Sequence, residues 1–205
     1  MFSSITNNVR YFVPGPSGSL ETGDRRYNWV WYWKCDQSST ALKEILTDTD
    51  NHIHRNSIPK GKLRPEVWNT QLEHAKENLN SIFIELVNKT KEPFLSVIQD
   101  YAAPQAALLN GKVLLIGDAL ATFRPHMALS LNQSALHSLL LEKLMKGEMS
   151  LKNWEKQVVL YGYRTQLMNV AFGNFYMYGG MVLIKSLLAY IWSLLPFNGF
   201  LKSSL

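Results

Sequence analysis

Hydrophobic and polar positions follow a strand-like pattern in the first quarter of the chain. Between residues 9 and 59 aromatic and β-branched residues, as in RRYNWVWYWK, are separated by turn formers such as GPSGSLETGD. This composition predicts extended structure. The segment ILTDTDNHIHRNSI predicts a hairpin with TDN at its tip, and it therefore places Asp48 and Asp50 on an exposed turn.

The pattern becomes helical from residue 64 to about residue 91. Apolar residues recur there at spacings near 3.6, and Pro65 stands at a favourable first helical position. After Pro125 the same period predicts helices near residues 128–146, 151–178 and 181–195. The pairs Lys146-Gly147 and Gly179-Gly180 are the expected breaks between these helices.

Residues 94 to 116 return to strand-like sequence between the two helical regions. The dipeptide Asn110-Gly111 separates AALL from KVLLIG and predicts a hairpin turn. The whole order of strands, two helices, strands and long helices indicates an α+β chain. It lacks the alternating βαβ order of a complete doubly wound nucleotide-binding domain.

Composition narrows the class of protein. Of the 205 residues, 46% are hydrophobic and 18% are charged, which is typical of a globular chain. The net charge is +5, but the basic residues are scattered and Arg25-Arg26 is the densest cluster, so we expect no nucleic-acid partner. The single cysteine, Cys35, excludes an intrachain disulfide, and the first residues contain no apolar signal segment. We therefore expect a cytoplasmic protein.

The dipeptide Gly117-Asp118 is the strongest candidate for a ligand-binding site. It follows the apolar run Val113 to Ile116, and Pro125 then leads into a predicted helix start. An ionised aspartate accepts hydrogen bonds from ligand hydroxyls, and a helix N-terminus presents free N–H groups. Taken alone, such a pair also fits a strand end with nothing bound, and the dinucleotide fingerprint G-x-G-x-x-G does not occur in this sequence.

The stretch GKVLLIGDALATFRPHMALSLNQ resembles the second flavin-binding motif of the FAD-dependent aromatic-ring hydroxylases. The matching residues are Gly117, Asp118, Ala119, Pro125 and Asn132. Ala128 and Ser130 stand where that family usually has glycine, and Ala121 stands where many members have histidine. The blocks PGPSGSL, GDRRYNWVWYW, LTDTD, GKLRPEVW and VNKTKEPF are similar to the 2,6-dihydroxypyridine 3-monooxygenase-like branch.

The resemblance implies part of a para-hydroxybenzoate hydroxylase-like fold. Residues 1–108 would form a substrate-binding sheet with helices, residues 109–179 the C-terminal part of the FAD domain, and residues 180–205 a hydrophobic helix. The segment with G-x-G-x-x-G would be missing. Gly117, Asp118, Pro125, Ala128 and Asn132 would contact FAD.

The activity implied by the resemblance is hydroxylation of an aromatic or N-heteroaromatic ring. Complete members use oxygen, a nicotinamide reductant and a flavin hydroperoxide, and we identify no acid or base catalyst in this sequence. Arg25, Arg26 and His126 are expected on the substrate side. Equally, the two arginines could pair with acids and His126 could be a surface residue. The alternative function is a truncated, non-catalytic homologue that serves as an interaction piece.

Two further features leave alternatives open. His52 and His54 lie on one side of a predicted strand, where a solvated face is favoured over a metal site because no third ligand is near. The segment 181–197 is almost wholly apolar apart from a narrow stripe of Lys185, Ala189 and Ser193. It is expected to pack in a protein groove or a dimer contact, with a membrane-surface contact as the second interpretation.

Overall fold

The computed structural model describes residues 7–178 and 180–195. They form two compact units, and the chain passes from the first to the second between Val97 and Ile98. Helices and strands are both present, which confirms the α+β class. The division of the chain into functional parts at residues 108 and 179 stays a prediction. The strands are β1 Asn7–Val13, β2 Arg26–Tyr32, β3 Tyr101–Ala102, β4 Ala107–Leu108, β5 Val113–Leu114 and β6 Ala121–Thr122. The helices are α1 Thr40–Ile45, α2 Pro65–Asn78, α3 Ser81–Lys89, α4 Ser130–Met145, α5 Leu151–Met177 and α6 Gly180–Leu194.

The first unit is built on the antiparallel pair β1 and β2, in which Val9 lies opposite Val30. Trp29 and Trp31 pack against the cluster that α2 and α3 bury around Phe83 and Val87. Their spacing of two places them on one face of β2. The predicted helices of residues 64–91 are present as α2 and α3, and Pro65 is the first residue of α2 as expected.

The prediction of extended structure between residues 34 and 59 is partly wrong. Residues Thr40–Ile45 form the short helix α1, because the Ser39 side chain accepts the backbone N–H of Leu42 at 3.1 Å and caps the first turn. The predicted hairpin forms only the single bridge Thr47–Ile53. Local capping thus outweighs the strand propensity of this segment.

Asp48 is buried, which corrects its predicted place on an exposed tip. Only 4% of the residue is exposed. One carboxylate oxygen accepts the backbone N–H groups of Asp50 and His52, and the other contacts Nε2 of His54 at 2.8 Å. The bond from His54, together with these backbone bonds, lowers the pKa of Asp48 to about 2 although burial opposes the shift. Asp48 therefore organises the turn from within.

The predicted hairpin at Asn110-Gly111 is confirmed. β4 pairs antiparallel with β5, and both Leu109 and Asn110 adopt left-handed backbone angles with φ of 51° and 57°. Glu155 of α5 fixes the base of this hairpin, since its carboxylate accepts the backbone N–H groups of Ala106 and Ala107 at 2.9 and 2.8 Å. The hairpin is thereby attached to the longest helix of the second unit.

The three predicted C-terminal helices are present as α4, α5 and α6. The core of the second unit gathers around Trp154 and Val158 of α5, Leu140 of α4 and Leu120. Gly162 of α5 lets the helix approach β6, because a Cβ there would lie 2.9 Å from that of Ala121. Gly179, half of the second expected break, lies outside the described residues. Among the described helices, none has the length and apolar character needed to cross a membrane.

Candidate functional site

Gly117 turns the chain at the end of the β5 segment. It begins a 3-10 turn, Gly117–Ala119, with a left-handed φ of 56°. A Cβ at this position would lie only 3.0 Å from Oγ of Ser134 on α4. Backbone conformation and space therefore both favour glycine here, because other residues rarely adopt this φ and would press against the helix.

His137 holds this turn in place. Its Nδ1 accepts the backbone N–H of Gly117 at 2.9 Å, and the histidine is 0% exposed. Burial lowers the pKa of His137 below its ordinary value, so the ring is neutral and its proton lies on Nε2. Sequence reasoning missed this residue. The sequence feature that could have revealed it is the spacing on α4. His137 lies four residues after Gln133 and three before Leu140, so the three residues share the buried face of the helix.

Asp118 is exposed, whereas its neighbour Gly117 is buried. Its backbone oxygen accepts the hydroxyl of Thr122 at 3.1 Å. Within the described residues no group hydrogen-bonds its carboxylate. An ionised carboxylate next to a fixed turn can accept bonds from the hydroxyl groups of a ligand.

The loop after Asp118 differs in detail from the prediction. Pro125–Met127 forms a 3-10 turn, and α4 begins only at Ser130, not directly after Pro125. Ala128 between them has φ 52° and ψ 35°, a left-handed conformation that interrupts the helix. The first turn of α4 has no side-chain cap, and Asn132 is exposed on it. The N–H groups of this turn are thus available to an acceptor.

An ion pair that the sequence did not reveal fixes the Pro125 loop. Arg124 donates from Nε to Asp100, and Gln166 of α5 donates to the other carboxylate oxygen at 2.9 Å. Both charged side chains are largely buried. Asp100 thereby connects the residue before Pro125 with the middle of α5, and these contacts restrict movement of the loop.

The predicted substrate-side residues lie in different environments. His126 is half-buried against α5, where a Cβ on Gly173 would lie 2.8 Å from its Nε2. Burial and, to a smaller extent, Arg124 lower the pKa of His126. Arg25 and Arg26 belong to the first unit and are exposed, with the Arg25 guanidinium 4.1 Å from the centre of the Phe12 ring. Arg26 contacts the backbone oxygen of Pro14 at 3.4 Å.

His52 and His54 lie on one side of their segment, with ring centres 4.7 Å apart. The Nε2 atom of His54 contacts the Asp48 carboxylate. Within the described residues, no group of three or more His, Cys, Asp or Glu side chains is arranged to hold a metal ion. The His54 imidazole and the backbone N–H of His52 therefore serve the turn that contains Asp48.

Comparison with known proteins supports the resemblance that the sequence indicates. A family model described as FAD binding domain-like matches residues 2–100. The 2,6-dihydroxypyridine 3-monooxygenase of Paenarthrobacter nicotinovorans is 32% identical over 125 residues, which cover 58% of this chain and 28% of that protein. The solved structure of 2,6-dihydroxypyridine-3-hydroxylase from Arthrobacter nicotinovorans matches with a TM-score of 0.75 and 25% identity over 86% of this chain.

These findings confirm that the chain resembles the FAD-dependent aromatic-ring hydroxylases of the 2,6-dihydroxypyridine 3-monooxygenase-like branch. It spans 28% of the length of the curated hydroxylase and 44% of the length of the solved one. The family model ends at residue 100, so the Gly117-Asp118 turn lies beyond the matched range. The assignment of individual hydroxylase site residues stays a prediction.

Proposed function

We propose that this chain forms the C-terminal portion of an FAD-dependent monooxygenase that hydroxylates an aromatic or N-heteroaromatic ring. The observation that carries the proposal is that the Gly117-Asp118 turn is held in place while the Asp118 carboxylate is left unbonded. His137 accepts the backbone N–H of Gly117, and a Cβ on Gly117 would press against Ser134. The neighbouring Asp118 carboxylate, in contrast, is exposed and makes no bond within the described residues. A structural aspartate, such as Asp48, instead uses its oxygens for the protein itself.

The residues of this region fit a flavin nucleotide. Asp118 would accept hydrogen bonds from the ribityl or ribose hydroxyls. The uncapped first turn of α4, with Asn132 exposed on it, would direct N–H groups and the positive end of the helix dipole at the electron-rich edge of the ring. Pro125 and Ala128 would line this edge. The bound FAD would supply the electron transfer from a nicotinamide cofactor to oxygen.

Arg25, Arg26 and His126 are the proposed substrate-binding residues. The exposed guanidinium groups of Arg25 and Arg26 can orient an anionic or strongly polar ring, and Arg25 already lies over the Phe12 ring. His126, neutral because burial lowers its pKa, can exchange a hydrogen bond with a ring hydroxyl from the Pro125 loop. These assignments make a small aromatic molecule the proposed substrate.

A non-catalytic homologue is the second candidate, and Ala128 is the observation that favours it. Its left-handed conformation is one that glycine adopts without strain, and its methyl group occupies the exposed loop that would face the flavin. Ser130 adds a second side chain nearby. If these two groups block the ring, the fold would persist as an interaction piece without cofactor.

A chimaera distinguishes the two candidates. This chain would replace the matching part of the Arthrobacter hydroxylase, and the purified chimaera would be analysed for bound FAD by its visible spectrum. The proposal predicts nearly one FAD per chain, and addition of a nicotinamide cofactor should bleach the bound flavin. A folded chimaera without flavin would instead support the non-catalytic homologue. The same chimaera with Ala128 and Ser130 changed to glycine then tests whether their side chains are the obstacle.

A further inference from the structure

A cleft lies between strand β3 and helix α5 of the second unit. Its volume is about 380 Å³, which falls in the range of sites for small molecules. Pro104 and the buried residues Ala103 and Val159 give it apolar walls. The described residues that line it include none of those predicted to contact FAD or substrate. The cleft is therefore a candidate site separate from the Gly117-Asp118 turn.

Two tyrosines line the cleft, one from each side. Tyr101 of β3 is 54% exposed, and Tyr163 of α5 is partly buried. An exposed ring beside an apolar cavity gains contact area when another ring packs on it, and aromatic pairs stabilise a complex beyond the area that they bury. The walls therefore favour an aromatic ligand of about one or two fused rings.

Asp100 and Gln166 also line the cleft, and they supply a place for a hydrogen-bond donor. The Asp100 carboxylate accepts bonds from Nε of Arg124 and, at 2.9 Å, from Gln166. A carboxylate offers about four acceptor positions, so it can accept a further bond from a ligand N–H or O–H. Among the described lining residues Asp100 alone is charged, and Arg124 offsets its charge. These groups repel an anion and give a cation no net attraction, so they favour a neutral donor.

We propose that this cleft binds a neutral aromatic molecule that donates an N–H or O–H hydrogen bond to Asp100, and that this molecule restricts the Pro125 loop. The connection runs through Arg124, which precedes Pro125 and is bonded to the same carboxylate. A further bond to Asp100 would hold the carboxylate, and with it Arg124, in one position. The molecule would thus act on the loop that carries His126 without contact to that histidine.

Indole and 1-methylindole are matched probes for this site, because they share a ring system and only indole has an N–H donor. Titration of the isotope-labelled chain, followed by two-dimensional NMR, measures their binding. Indole should bind with a dissociation constant on the order of 1 mM, as expected for a molecule of this size. 1-Methylindole should bind about tenfold more weakly, since it cannot donate to Asp100. The ring resonances of His126 should shift with indole.

Tyr163→Leu removes the aromatic wall on α5 and should weaken indole binding by roughly threefold to tenfold. Tyr176→Leu is the matched control, because Tyr176 is also a partly buried tyrosine of α5 but does not line the cleft. This control should bind indole as the wild type does. Asp100→Asn should reduce the difference in affinity between the two probes, because that difference depends on the carboxylate.

Three results would overturn the binding site. One is a titration without saturable shifts up to about 10 mM indole, and another is equal affinity of the wild type for the two probes. The third is binding that Tyr176→Leu weakens as much as Tyr163→Leu, which would place indole elsewhere. Binding that leaves the His126 resonances unchanged would overturn the connection to the Pro125 loop. None of these measurements involves flavin, so their outcome is independent of the proposed function.

Discussion

The backbone N–H of Gly117 donates a buried 2.9 Å hydrogen bond to Nδ1 of His137, twenty residues along the chain. This bond fixes the turn that presents Asp118. A Cβ on Gly117 would also lie only 3.0 Å from Oγ of Ser134, so helix α4 constrains the turn that carries the acid. The first prediction follows from removal of this bond.

His137→Phe should lower the free energy of unfolding by about 1–3 kcal/mol, because the buried Gly117 N–H would lose its acceptor. Urea unfolding followed by circular dichroism measures this change. Ser138→Ala on the exposed side of α4 is the control and should change stability by no more than about 0.5 kcal/mol. Equal stability of His137→Phe and wild type would mean that the Gly117 turn does not need the histidine.

Asp118→Ala should weaken FAD binding by roughly 10- to 100-fold in the chimaera described above. A charge-assisted hydrogen bond contributes about 1.5–3 kcal/mol, and each 1.4 kcal/mol is about tenfold in affinity. Fluorescence titration of the apoprotein with FAD provides the dissociation constant. Glu148→Ala is the control, because Glu148 is also an exposed acid. An unchanged dissociation constant would remove Asp118 from the cofactor site.

Asp48 should make stability depend on acid pH. Its pKa is about 2 in the folded chain, mainly because of His54, against an ordinary value of about 3.9. The ionised form therefore adds stability that is complete above about pH 4 and is lost as the pH falls toward 2. Thermal unfolding at half-unit steps from pH 2 to 5 should show this loss. Asp48→Asn should flatten the slope, while Asp50→Asn, at an exposed residue paired with Lys62, should retain it.

Glycine substitutions at the two positions where the family usually has glycine should change the free energy of unfolding in opposite directions. Ala128→Gly should stabilise the fold by about 0.5–1 kcal/mol, because the left-handed conformation costs alanine about 1–2 kcal/mol and glycine gains flexibility when unfolded. Ser130→Gly should destabilise it by up to about 1 kcal/mol, since Ser130 is already helical. Chemical denaturation of both variants checks the contrast. Stabilisation by both would indicate that the start of α4 is strained throughout.

Local pattern in the sequence determined most of the secondary structure. The period of residues 64–91 and of those after Pro125 defined helices α2 to α6, and Asn110-Gly111 defined the β4–β5 turn. Helical period and tight turns depend on neighbouring residues, so they can be recognised without the rest of the chain. The resemblance around Gly117-Asp118 likewise pointed to the flavin hydroxylase family, which the comparisons support.

Tertiary structure decided which polar groups serve the protein and which are free. Asp48 and Asp118 both follow segments with a strand-like sequence. In the fold, Asp48 is buried and its carboxylate takes part in three hydrogen bonds, whereas Asp118 is exposed. The His137–Gly117 bond and the Asp100–Arg124 pair join residues twenty or more positions apart. Such contacts depend on how helices and loops approach one another in space. The order of residues along the chain does not give the distance between two such elements. The bonds from α5 to Ser186 and Ser193 of α6 likewise became visible only once the two helices were packed together.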